Sequence, residues 1–334
     1  MSKSIFPEKL VSIARPVAYL QGARLVRQGE ASRGAFLIRE GRVEAQVALP
    51  GGGMHTVAEF GAGEMFGEMA LIERGVCSAT VVARTGVEGW FIEREDFRAM
   101  VASRDAAALE MQRAITRVLA ERLRALNARL RERPAAEDRP VRTVGPATQA
   151  LQGSKPGFDW RAFLPLLHFF EGFDDYQIDE MVAASRALEF ARGAPLFAAG
   201  QPAQACYLVV RGALEVVAIN NSIERRIAVA GPGELVGYLA LLERGAHAAA
   251  ARVREAACVL EFPAREFLAL YEGNSGTSVR LQHAIHRSLL RSLARSNTQL
   301  TRLISHARAA AASQEAAELE AALHGQLWRP ESKM

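Results

Sequence analysis

The stretch FGEMALIERGVCSAT, residues 66–80, begins with a Gly-Glu pair that opens a short helical turn and ends in a run of small residues. The first turn of a helix offers unpaired N–H groups and the positive end of the helix dipole, and both attract anions. The stretch is therefore typical of a phosphate pocket. Such a pocket is expected to include a cation, but Cys77 stands at that position.

A second copy of this stretch lies in the other half of the chain. GAGEMFGEMALIERG (61–75) matches GPGELVGYLALLERG (231–245), and GARLVRQGEASRGAFLIREGRVE (22–44) matches GAPLFAAGQPAQACYLVVRGALE (193–215). The shift falls from 171 to 170 between the two segments, which places one lost residue most simply in the glycine loop 51–53. A register kept over such long segments predicts two copies of one domain.

Each copy combines two kinds of predicted secondary structure. Short alternating segments between glycine turns, such as GAFLIREGRVEAQVAL (34–49), predict a small antiparallel sheet or barrel. After Arg94 the apolar residues recur at the spacing of an amphipathic helix. These residues are Ile115, Leu119, Leu123, Leu126 and Leu130 in the first copy and Ile285, Leu289, Leu293, Leu300 and Ile304 in the second. Each copy is therefore predicted to be a small β-barrel followed by a long helix.

The local composition predicts four regions. Residues 1–131 form the first domain with its trailing helix, and residues 159–306 form the second. Between them, residues 132–158 are rich in Pro, Gly and charge and are predicted to be a linker. Residues 307–334 are rich in Ala and Glu, which predicts an appended C-terminal helix and a tail.

The overall composition argues against several classes of protein. A chain of 334 residues that is 49% hydrophobic and 23% charged is typical of a globular protein of about two domains. A formal net charge of +4 gives little support for nucleic-acid binding. Cys77, Cys206 and Cys258 have no CxxC spacing, which favours a reducing compartment and no zinc site. Without a signal peptide or an apolar run of membrane-spanning length, the chain is predicted to be cytoplasmic, with no membrane contact.

The order of strands, the Gly-Glu-x-Ala-Leu turn, the Ala-Thr strand start and the trailing helix resemble the cyclic nucleotide-binding domain. This domain occurs in the catabolite activator protein family, in the regulatory subunit of protein kinase A and in cyclic-nucleotide-gated channels. The resemblance covers roughly residues 14–131 and 160–305. It implies an α+β fold of two jelly-roll β-barrels in tandem, each followed by a long α-helix.

The first copy matches most of the family's phosphate-binding cassette, which reads approximately F-G-E-[LIM]-A-L-[LIM]-x-x-x-P-R-x-A-T. The resemblance implies ligand contacts from Phe66, Gly67, Glu68, Met69, Ala70, Leu71, Cys77, Ser78, Ala79 and Thr80. Among these, Glu68 is implied to accept a hydrogen bond from a ribose 2′-hydroxyl. The backbone amides near Ala70 and Leu71 are expected to cradle the phosphate, and the Ser78 hydroxyl to donate to it.

The first copy departs from the cassette at Val76 and Cys77, where the family has Pro and the phosphate-binding Arg. A hydrogen bond to a charged group is worth about 1.5–3 kcal/mol, so affinity for an ordinary cyclic mononucleotide should fall by roughly ten- to 150-fold. Two alternatives stay open. Arg74 either turns inward as a surrogate cation or lies in solvent at the end of the turn. Cys77 is either a redox switch or a buried small thiol.

The second copy, VGYLALLERGAHAAA (236–250), departs further. Tyr238 stands in the Glu position, Ala246 in the Pro position and His247 in the Arg position. A possible second pocket consists of Gly237, Tyr238, Leu239, Ala240, Leu241, His247 and Ala248. We expect Tyr238 to fill this pocket rather than to stack on a base, and His247 to be either a packing residue or a pH-dependent cation. The second domain is therefore predicted to be degenerate, and the first to be the better candidate for ligand binding.

The two trailing helices carry much of the positive charge. Seven arginines lie between residues 113 and 133, and six lie between residues 280 and 308. Such basic faces are either solvated or within reach of a phosphate from the helical side. The apolar stripe of the 108–131 helix predicts a homodimer, with the 280–305 helix as a second contact. Neither copy is followed by a helix-turn-helix, so DNA binding is not expected.

The sequence contains no catalytic or metal-binding motif, which argues against an enzyme and against any required cofactor. Two function classes remain. The first is a non-enzymatic sensor whose ligand, a cyclic mononucleotide or a cyclic dinucleotide, changes helix packing and so the contact with a protein partner that the sequence does not identify. The alternative is a pseudo-receptor, a scaffold for dimerisation and protein docking whose two pockets hold no ligand.

Overall fold

The structure is a computed structural model that describes residues 13–48, 54–72, 74–132, 139–140, 153–220, 223–296 and 298–299. The strands of the first copy are β1 (Arg15–Tyr19), β2 (Arg24–Val26), β3 (Gly34–Glu40), β4 (Val43–Ala48), β5 (Met54–Phe60), β6 (Met65–Phe66), β7 (Thr80–Ala83) and β8 (Val87–Glu93). Its helices are α1 (Met69–Ile72), α2 (Arg94–Ala102) and α3 (Ala106–Glu132). The strands form two antiparallel sheets, ordered β1-β8-β3-β6 and β2-β7-β4-β5.

The second copy repeats this plan with longer strands. Its strands are β10 (Arg186–Phe190), β11 (Pro195–Phe197), β12 (Ala205–Asn220), β13 (Ile223–Ala230), β14 (Leu235–Val236) and β15 (Ala250–Pro263), and β9 (Arg139–Pro140) from the predicted linker pairs with β13. Its helices are α4 (Asp175–Ala183), α5 (Tyr238–Leu242), α6 (Ala264–Glu272) and α7 (276–296), and two 3-10 segments, Arg161–Leu166 and His168–Phe170, precede α4. The pairing of β12 with β15 shifts register between Val209 and Leu214, so these two strands bend and contribute to both faces of the domain.

The predicted antiparallel jelly-roll fold is confirmed, but the sheets are not closed barrels. Among the described strands, β1 and β6 end one sheet of the first copy, and β2 and β5 end the other. The two sheets pack face to face over an apolar core that includes Phe36 and Phe91 from one sheet and Val43 and Val81 from the other. Alternation of apolar residues predicts which face is buried, but it does not predict closure.

A glycine turn repeated between the copies explains part of the sequence repeat. Gly41 has a φ of +96°, and a Cβ at this position would lie 2.1 Å from the carbonyl oxygen of Gly86. Gly212, its counterpart, has a φ of +86° and a similar conflict with the carbonyl oxygen of Ala256 at 2.2 Å. Both positions therefore require glycine, because they combine a left-handed backbone with close approach of a neighbouring strand.

The two trailing helices pack against each other within one chain. The Gln112 side chain of α3 donates to the Gln282 side chain of α7 at 2.8 Å, and Ser296 donates to Asn127 at 3.0 Å. Residues at equivalent positions of the repeat, or within one residue of them, therefore face each other, and the helices run parallel and in register. The contact between α3 and α7 forms a seam along both helices. The apolar residues of this seam are buried: Ile115, Leu119, Leu123, Ile285, Leu289 and Leu293.

The seam also contains a buried polar cluster. His286 is fully buried, and its Nε2 contacts the Thr116 hydroxyl and lies 3.1 Å from the Gln112 carbonyl oxygen. Thr116 and His286 occupy equivalent positions of the two copies. Burial, followed by the nearby His283, lowers the pKa of His286 to about 3, so the imidazole is neutral at physiological pH. A polar pair at one level of an apolar seam fixes the register of the two helices.

The prediction of a homodimer depended on an apolar stripe that a single small barrel could not cover. In the structure α7 covers that stripe, with Leu119 and Leu289 both fully buried. The seam therefore needs no second chain, and a homodimer stays a prediction that requires another surface. Leu300, Ile304 and the predicted C-terminal helix and tail (307–334) lie outside the described residues.

Candidate functional site

The first cassette (residues 66–80), like the second (residues 236–250), contains a glycine that the backbone requires. Gly67 has a φ of +75°, and a Cβ there would lie 2.9 Å from the carbonyl oxygen of Gly34 on β3. This tight turn directs the next residue, Glu68, into the domain, where only 3% of its surface is exposed. The same glycine recurs as Gly237, with a φ of +86°. Both cassettes therefore share a backbone turn, and their differences lie in the side chains.

An ion pair closes the first cassette. The guanidinium of Arg122, on α3, contacts the Oε1 atom of Glu68. The Glu68 side chain is almost fully buried, whereas the Arg122 side chain is 40% exposed. The carboxylate that the resemblance assigns to a ribose hydroxyl is therefore already engaged by the trailing helix. A ribose could take this contact only by sharing or displacing Arg122.

The backbone amides expected to cradle a phosphate are used within the turn. The Ala70 amide donates to the Gly67 carbonyl at 2.9 Å, and the Leu71 amide donates to the Glu68 carbonyl at 3.1 Å. In this conformation both amides are therefore engaged within the turn, and their contact with a phosphate stays a prediction. The turn is fixed further by Arg94, a buried residue whose Nε donates to the Ala70 carbonyl at 2.6 Å.

The end of the first cassette pairs through its backbone with a neighbouring loop. The Cys77 amide donates to the Glu30 carbonyl at 2.8 Å, and the Cys77 carbonyl accepts from the Gly29 amide at 2.9 Å. Burial, followed by the negative charge of Glu30, raises the pKa of the Cys77 thiol, which therefore stays protonated at neutral pH. A protonated thiol supplies no positive charge, and it lacks the thiolate that a redox switch requires.

The remaining candidates in the first cassette divide between core and surface. Phe66 stacks on Phe36 with ring centroids 4.9 Å apart, and the Thr80 hydroxyl accepts from the Gln28 amide at 3.0 Å. Ser78 is exposed. Arg74 is also exposed, and it lies 3.4 Å from Glu95 on the surface, so the interpretation of Arg74 as an inward cation is wrong.

The second copy holds a cavity of about 1230 Å³. It lies between β13, the second cassette, α7 and α3, so both trailing helices form part of its wall. Ligand pockets in proteins usually measure about 300–1,000 Å³, which makes this cavity large enough for a nucleotide-sized molecule. Six of the seven residues predicted for a second pocket line it: Gly237, Tyr238, Leu239, Ala240, His247 and Ala248. The seventh, Leu241, is buried in the core instead.

Tyr238 does not fill the second pocket. The side chain is buried, and burial raises the pKa of its hydroxyl, which is therefore neutral. The hydroxyl faces Ser292 of α7, although no described side chain meets it at good hydrogen-bonding geometry. Tyr238 and Ser292 occupy the positions of Glu68 and Arg122 in the repeat. A neutral pair thus replaces the ion pair that closes the first cassette.

His247 is a packing residue rather than a cation. Only 5% of its surface is exposed, and its ring stacks on Phe197 with centroids 3.7 Å apart and planes 13° apart. Burial lowers the pKa of His247, so the imidazole at the position of the family's phosphate-binding Arg is neutral at pH 7. Of the two interpretations of this histidine, the structure supports packing.

The helical wall of the cavity carries charges that no sequence motif assigns to a site. Arg124 of α3 is paired with Glu243, and Arg295 of α7 is paired with Glu234 at 2.6 Å. The arginine-rich composition of both helices was the available signal, but it did not indicate which arginines face the cavity. Arg122 and Arg124 illustrate this, because two residues on one helix point about 200° apart and so reach different domains.

Comparisons with known proteins agree with the repeat. The sequence profile of the family described as "Cyclic nucleotide-binding domain" matches residues 16–104 and 187–274, which together make up more than half of the chain. A cyclic AMP receptor protein of Thermus thermophilus is 33% identical over 103 residues, which is 31% of this chain and 48% of that protein. A cyclic nucleotide-gated potassium channel of Rhizobium etli is 42% identical over 95 residues, which is 28% of this chain and 25% of that protein.

The chain thus spans less than half the length of these two curated relatives. Among solved structures, the regulatory domain of Toxoplasma gondii PKA in co-crystals with cAMP aligns over 87% of this chain and 90% of that chain, with 18% identity and a TM-score of 0.33. Within the described residues, no helix is long and apolar enough to cross a membrane. The same residues include no cluster of three or more His, Cys, Asp or Glu side chains arranged for a metal ion.

Proposed function

Because the chain belongs to the cyclic nucleotide-binding domain family, we propose that it is a non-enzymatic sensor of a nucleotide-type ligand, with the ligand site in the second domain. The observation that carries this proposal is the cavity between the second cassette and the two trailing helices. The first domain, predicted from its cassette to be the better candidate, has its Glu68 carboxylate engaged by Arg122. Its proposed role is therefore structural.

A ligand in this cavity would act on the helices that form its wall. Leu123, Arg124 and Asn127 of α3 and Ser292 and Ser296 of α7 all line the cavity. The hydrogen bond between Ser296 and Asn127 joins the two helices at this level. A ligand that contacts both helices shifts the balance between two arrangements of these helices. The size of the shift is set by how much more tightly the ligand binds one arrangement than the other. We propose that a protein partner reads this change, and that the protein works in the cytoplasm, as its cysteine usage suggests.

The first domain is suited to hold α3 in place for this mechanism. The Arg122–Glu68 contact ties the middle of α3 to the first cassette. Two residues further along, Arg124 reaches Glu243 at the end of α5 in the second domain. The same stretch of α3 is thus fixed to one domain and exposed to the cavity of the other. A shift of α3 on ligand binding would therefore alter the contact between the domains.

One observation favours the alternative function, a scaffold without ligand. Neither cassette places a positive charge at the position of the family's phosphate-binding Arg, because Cys77 is a protonated thiol and His247 is a neutral imidazole. A phosphate would then depend on backbone dipoles or on charges elsewhere in the cavity. If the protein is a scaffold without a ligand, no cyclic nucleotide should stabilise the chain against unfolding.

A thermal-shift titration of the full chain with cyclic AMP, cyclic GMP, cyclic di-AMP and cyclic di-GMP tests the proposed function. A ligand at 100 times its dissociation constant should add about 2.7 kcal/mol to the free energy of unfolding. Ala228→Trp places a large side chain in the cavity and should abolish the shift. Ala58→Trp, at the equivalent half-buried position of the first domain, is the matched control and should leave it unchanged.

Two results would contradict the proposal. If none of the four nucleotides stabilises the chain, the sensor function fails and the scaffold is favoured. If Ala58→Trp abolishes a shift that Ala228→Trp preserves, the ligand site lies in the first domain instead.

A further inference from the structure

A shallow groove runs along the edge of the first copy's sheet, on the side where β1 lies. It measures about 320 Å³ and is lined by Pro16, Val17, Ala18, Arg39, Glu88, Gly89 and Trp90. The β1 strand ends this sheet, and within the described residues no strand pairs with its outer edge. An unpaired edge offers backbone N–H and C=O groups that can pair with an extended segment of another chain.

In the second copy the chain itself covers the equivalent edge. The Ser154 amide donates to the Glu189 carbonyl on β10 at 3.0 Å, and the Glu189 amide donates to the Ser154 carbonyl at 2.8 Å. Gly153 lies so close to the strand that a Cβ at this position would be 2.9 Å from the Cβ of Leu188. The segment thus adds one antiparallel bridge to the outer edge of β10.

The same segment also places an aromatic ring on the face of this sheet. The Cζ atom of Arg211 lies 4.4 Å from the centre of the Phe158 ring. Phe158 and Ala187 both pack against the apolar core that includes Leu260. The segment 153–158 therefore covers the edge with two elements, a backbone bridge and an aromatic side chain.

The repeat puts the groove of the first copy at the same position. Ala18 is the counterpart of Glu189, and it lies opposite Glu88 on β8 as Glu189 lies opposite Cys258 on β15. Bonded and non-bonded pairs alternate along an antiparallel strand, so the amide and carbonyl of Ala18, like those of Glu189, point away from the neighbouring strand. Ala18 is exposed, whereas Glu189 is half-buried. The edge position that is filled in the second copy is therefore open in the described part of the first.

The floor of the groove suits an aromatic side chain. Trp90, the counterpart of Leu260, is half-buried, and the Cζ atom of Arg39 lies 6.0 Å from the centre of its ring. Arg39 also contacts Glu88, and both of these side chains are more than half exposed. A ring that enters the groove can stack on the Trp90 indole and meet the face of the Arg39 guanidinium.

We propose that this groove docks an extended segment of a partner protein, which forms a single backbone bridge with Ala18 and seats an aromatic side chain on Trp90. The occupant is inferred from the second copy, where residues 153–158 cover the equivalent position in this way. Pro16, two residues before Ala18, has no N–H to donate, so the edge accepts one bridge rather than a continuous strand. The inference goes beyond the proposed function, because it does not depend on a ligand in the cavity.

Fluorescence anisotropy of the full chain with the labelled peptide QGSKPGFDW, the sequence of residues 152–160, tests this docking site. The peptide should bind at the first copy, because the edge of the second copy is held by the same residues at a high effective concentration. Trp90→Ala and Ala18→Pro should each weaken binding by about ten-fold or more. Ala18→Pro removes an N–H that points away from β8, so its melting temperature should stay close to that of the wild type.

Two controls separate the groove from the rest of the surface. Met54→Ala removes an exposed apolar side chain from the other sheet of the first copy and should leave the affinity unchanged. A peptide with alanine in place of its phenylalanine should bind about ten-fold more weakly than QGSKPGFDW, because it keeps the backbone bridge but lacks the ring.

Hydrogen–deuterium exchange then locates the bound peptide. Protection of residues 15–20 supports the proposal, whereas protection of residues 186–190 would overturn it, since the peptide would then displace the chain's own segment. No binding to the wild type, or equal binding to all the variants, would overturn it as well. Binding that appears only after removal of residues 1–12 would identify the N-terminal segment of the chain as the occupant instead. Self-association of the wild type that Trp90→Ala abolishes would identify a second copy, and either result would overturn the assignment to a partner protein.

Discussion

The two cassettes share one backbone turn and differ in what the trailing helix brings to it. Gly67 and Gly237 both adopt a left-handed conformation and place the next residue inside the domain. In the first copy that residue is Glu68, and Arg122 of α3 closes over it. In the second copy it is Tyr238, opposite Ser292, and a cavity of about 1230 Å³ lies beside it. The copy that matches the family motif better is thus the one whose key carboxylate is occupied.

This difference shows that a cassette cannot be evaluated apart from its helix. Glu68 and Arg122 lie far apart in the sequence and meet only because α3 packs back across its own domain. An unpaired carboxylate could accept a hydrogen bond from a ribose hydroxyl, whereas a paired carboxylate already has a strong partner.

Leu119→Glu should have the largest effect, because it places a charge in the fully buried seam between α3 and α7. An unpaired buried charge costs several kcal/mol, so the free energy of unfolding from urea denaturation should fall by about that amount. Arg117→Glu introduces the same carboxylate at an exposed position of α3 and should change stability by less than about 1 kcal/mol. Equal effects of the two variants would show that α7 does not cover this stripe.

Stability should fall in acid because of the histidines that α7 brings to the seam. The pKa of His286 is lowered to about 3 by burial, and that of His283 to about 4 by burial and nearby arginines. The unfolded chain therefore binds more protons than the folded one, so stability is complete above pH 6.5 and is lost as the pH falls toward 4.

The change appears in melting temperatures measured between pH 7 and pH 4. His286→Gln, which retains a donor for the Gln112 carbonyl, should make the decline shallower. An unchanged slope in this variant would mean that His286 titrates normally and that the α3 and α7 seam is open to water.

The ion pair of the first cassette predicts unequal costs for equivalent substitutions. Arg122→Ala leaves the buried Glu68 carboxylate without its partner and should cost about 1–2 kcal/mol, less than for a fully buried pair because Arg122 is 40% exposed. Ser292→Ala, at the equivalent position of the second copy, should cost less than about 0.5 kcal/mol.

The double variant Glu68→Gln, Arg122→Ala should recover part of the loss, since it removes the stranded charge. Chemical denaturation measures all three variants. Equal costs for Arg122→Ala and Ser292→Ala would contradict the closed state of the first cassette.

An arginine restored at the family's phosphate-binding position should have the smallest effect of these substitutions. The resulting gain in affinity should differ between the two copies. His247→Arg places a guanidinium at the cassette wall of the cavity and should raise the affinity for cyclic AMP by about ten-fold in calorimetric titration. Cys77→Arg restores the same family position in the first copy, where the sequence alone predicts a similar gain. Because Arg122 already holds Glu68, we expect a smaller gain there. A larger gain from Cys77→Arg would reverse the assignment of the ligand site.

The fold could be predicted from the sequence because it depends on local sequence patterns. Gly41 and Gly212 mark the same strand turn, and the spacing from Ile115 to Leu130 marks the trailing helix. The partner of that helix could not be predicted, because an apolar stripe packs equally well against a second chain or a second copy. Open sheets also could not be told from closed barrels, since both bury alternate residues.

The site was only partly predictable for a related reason. Six predicted residues of the second pocket do line the cavity, because the cassette turn sets their position locally. Arg124, Arg295 and the pairing of Arg122 with Glu68 depend on how α3 and α7 cross the domains. Tyr238 was expected to fill the pocket because it stands in the Glu position of the cassette, but the packed position of its ring decides how much space remains.

Hydrogen–deuterium exchange by mass spectrometry shows which residues of the chain a ligand protects. The full chain would be compared with and without a saturating concentration of whichever of the four cyclic nucleotides stabilises it most. We predict slower exchange in residues 226–240, in residues 288–296 of α7 and in residues 120–128 of α3, with no change in residues 61–72. Protection confined to residues 61–80 would place the ligand in the first cassette and would overturn the assignment of the ligand site to the second domain.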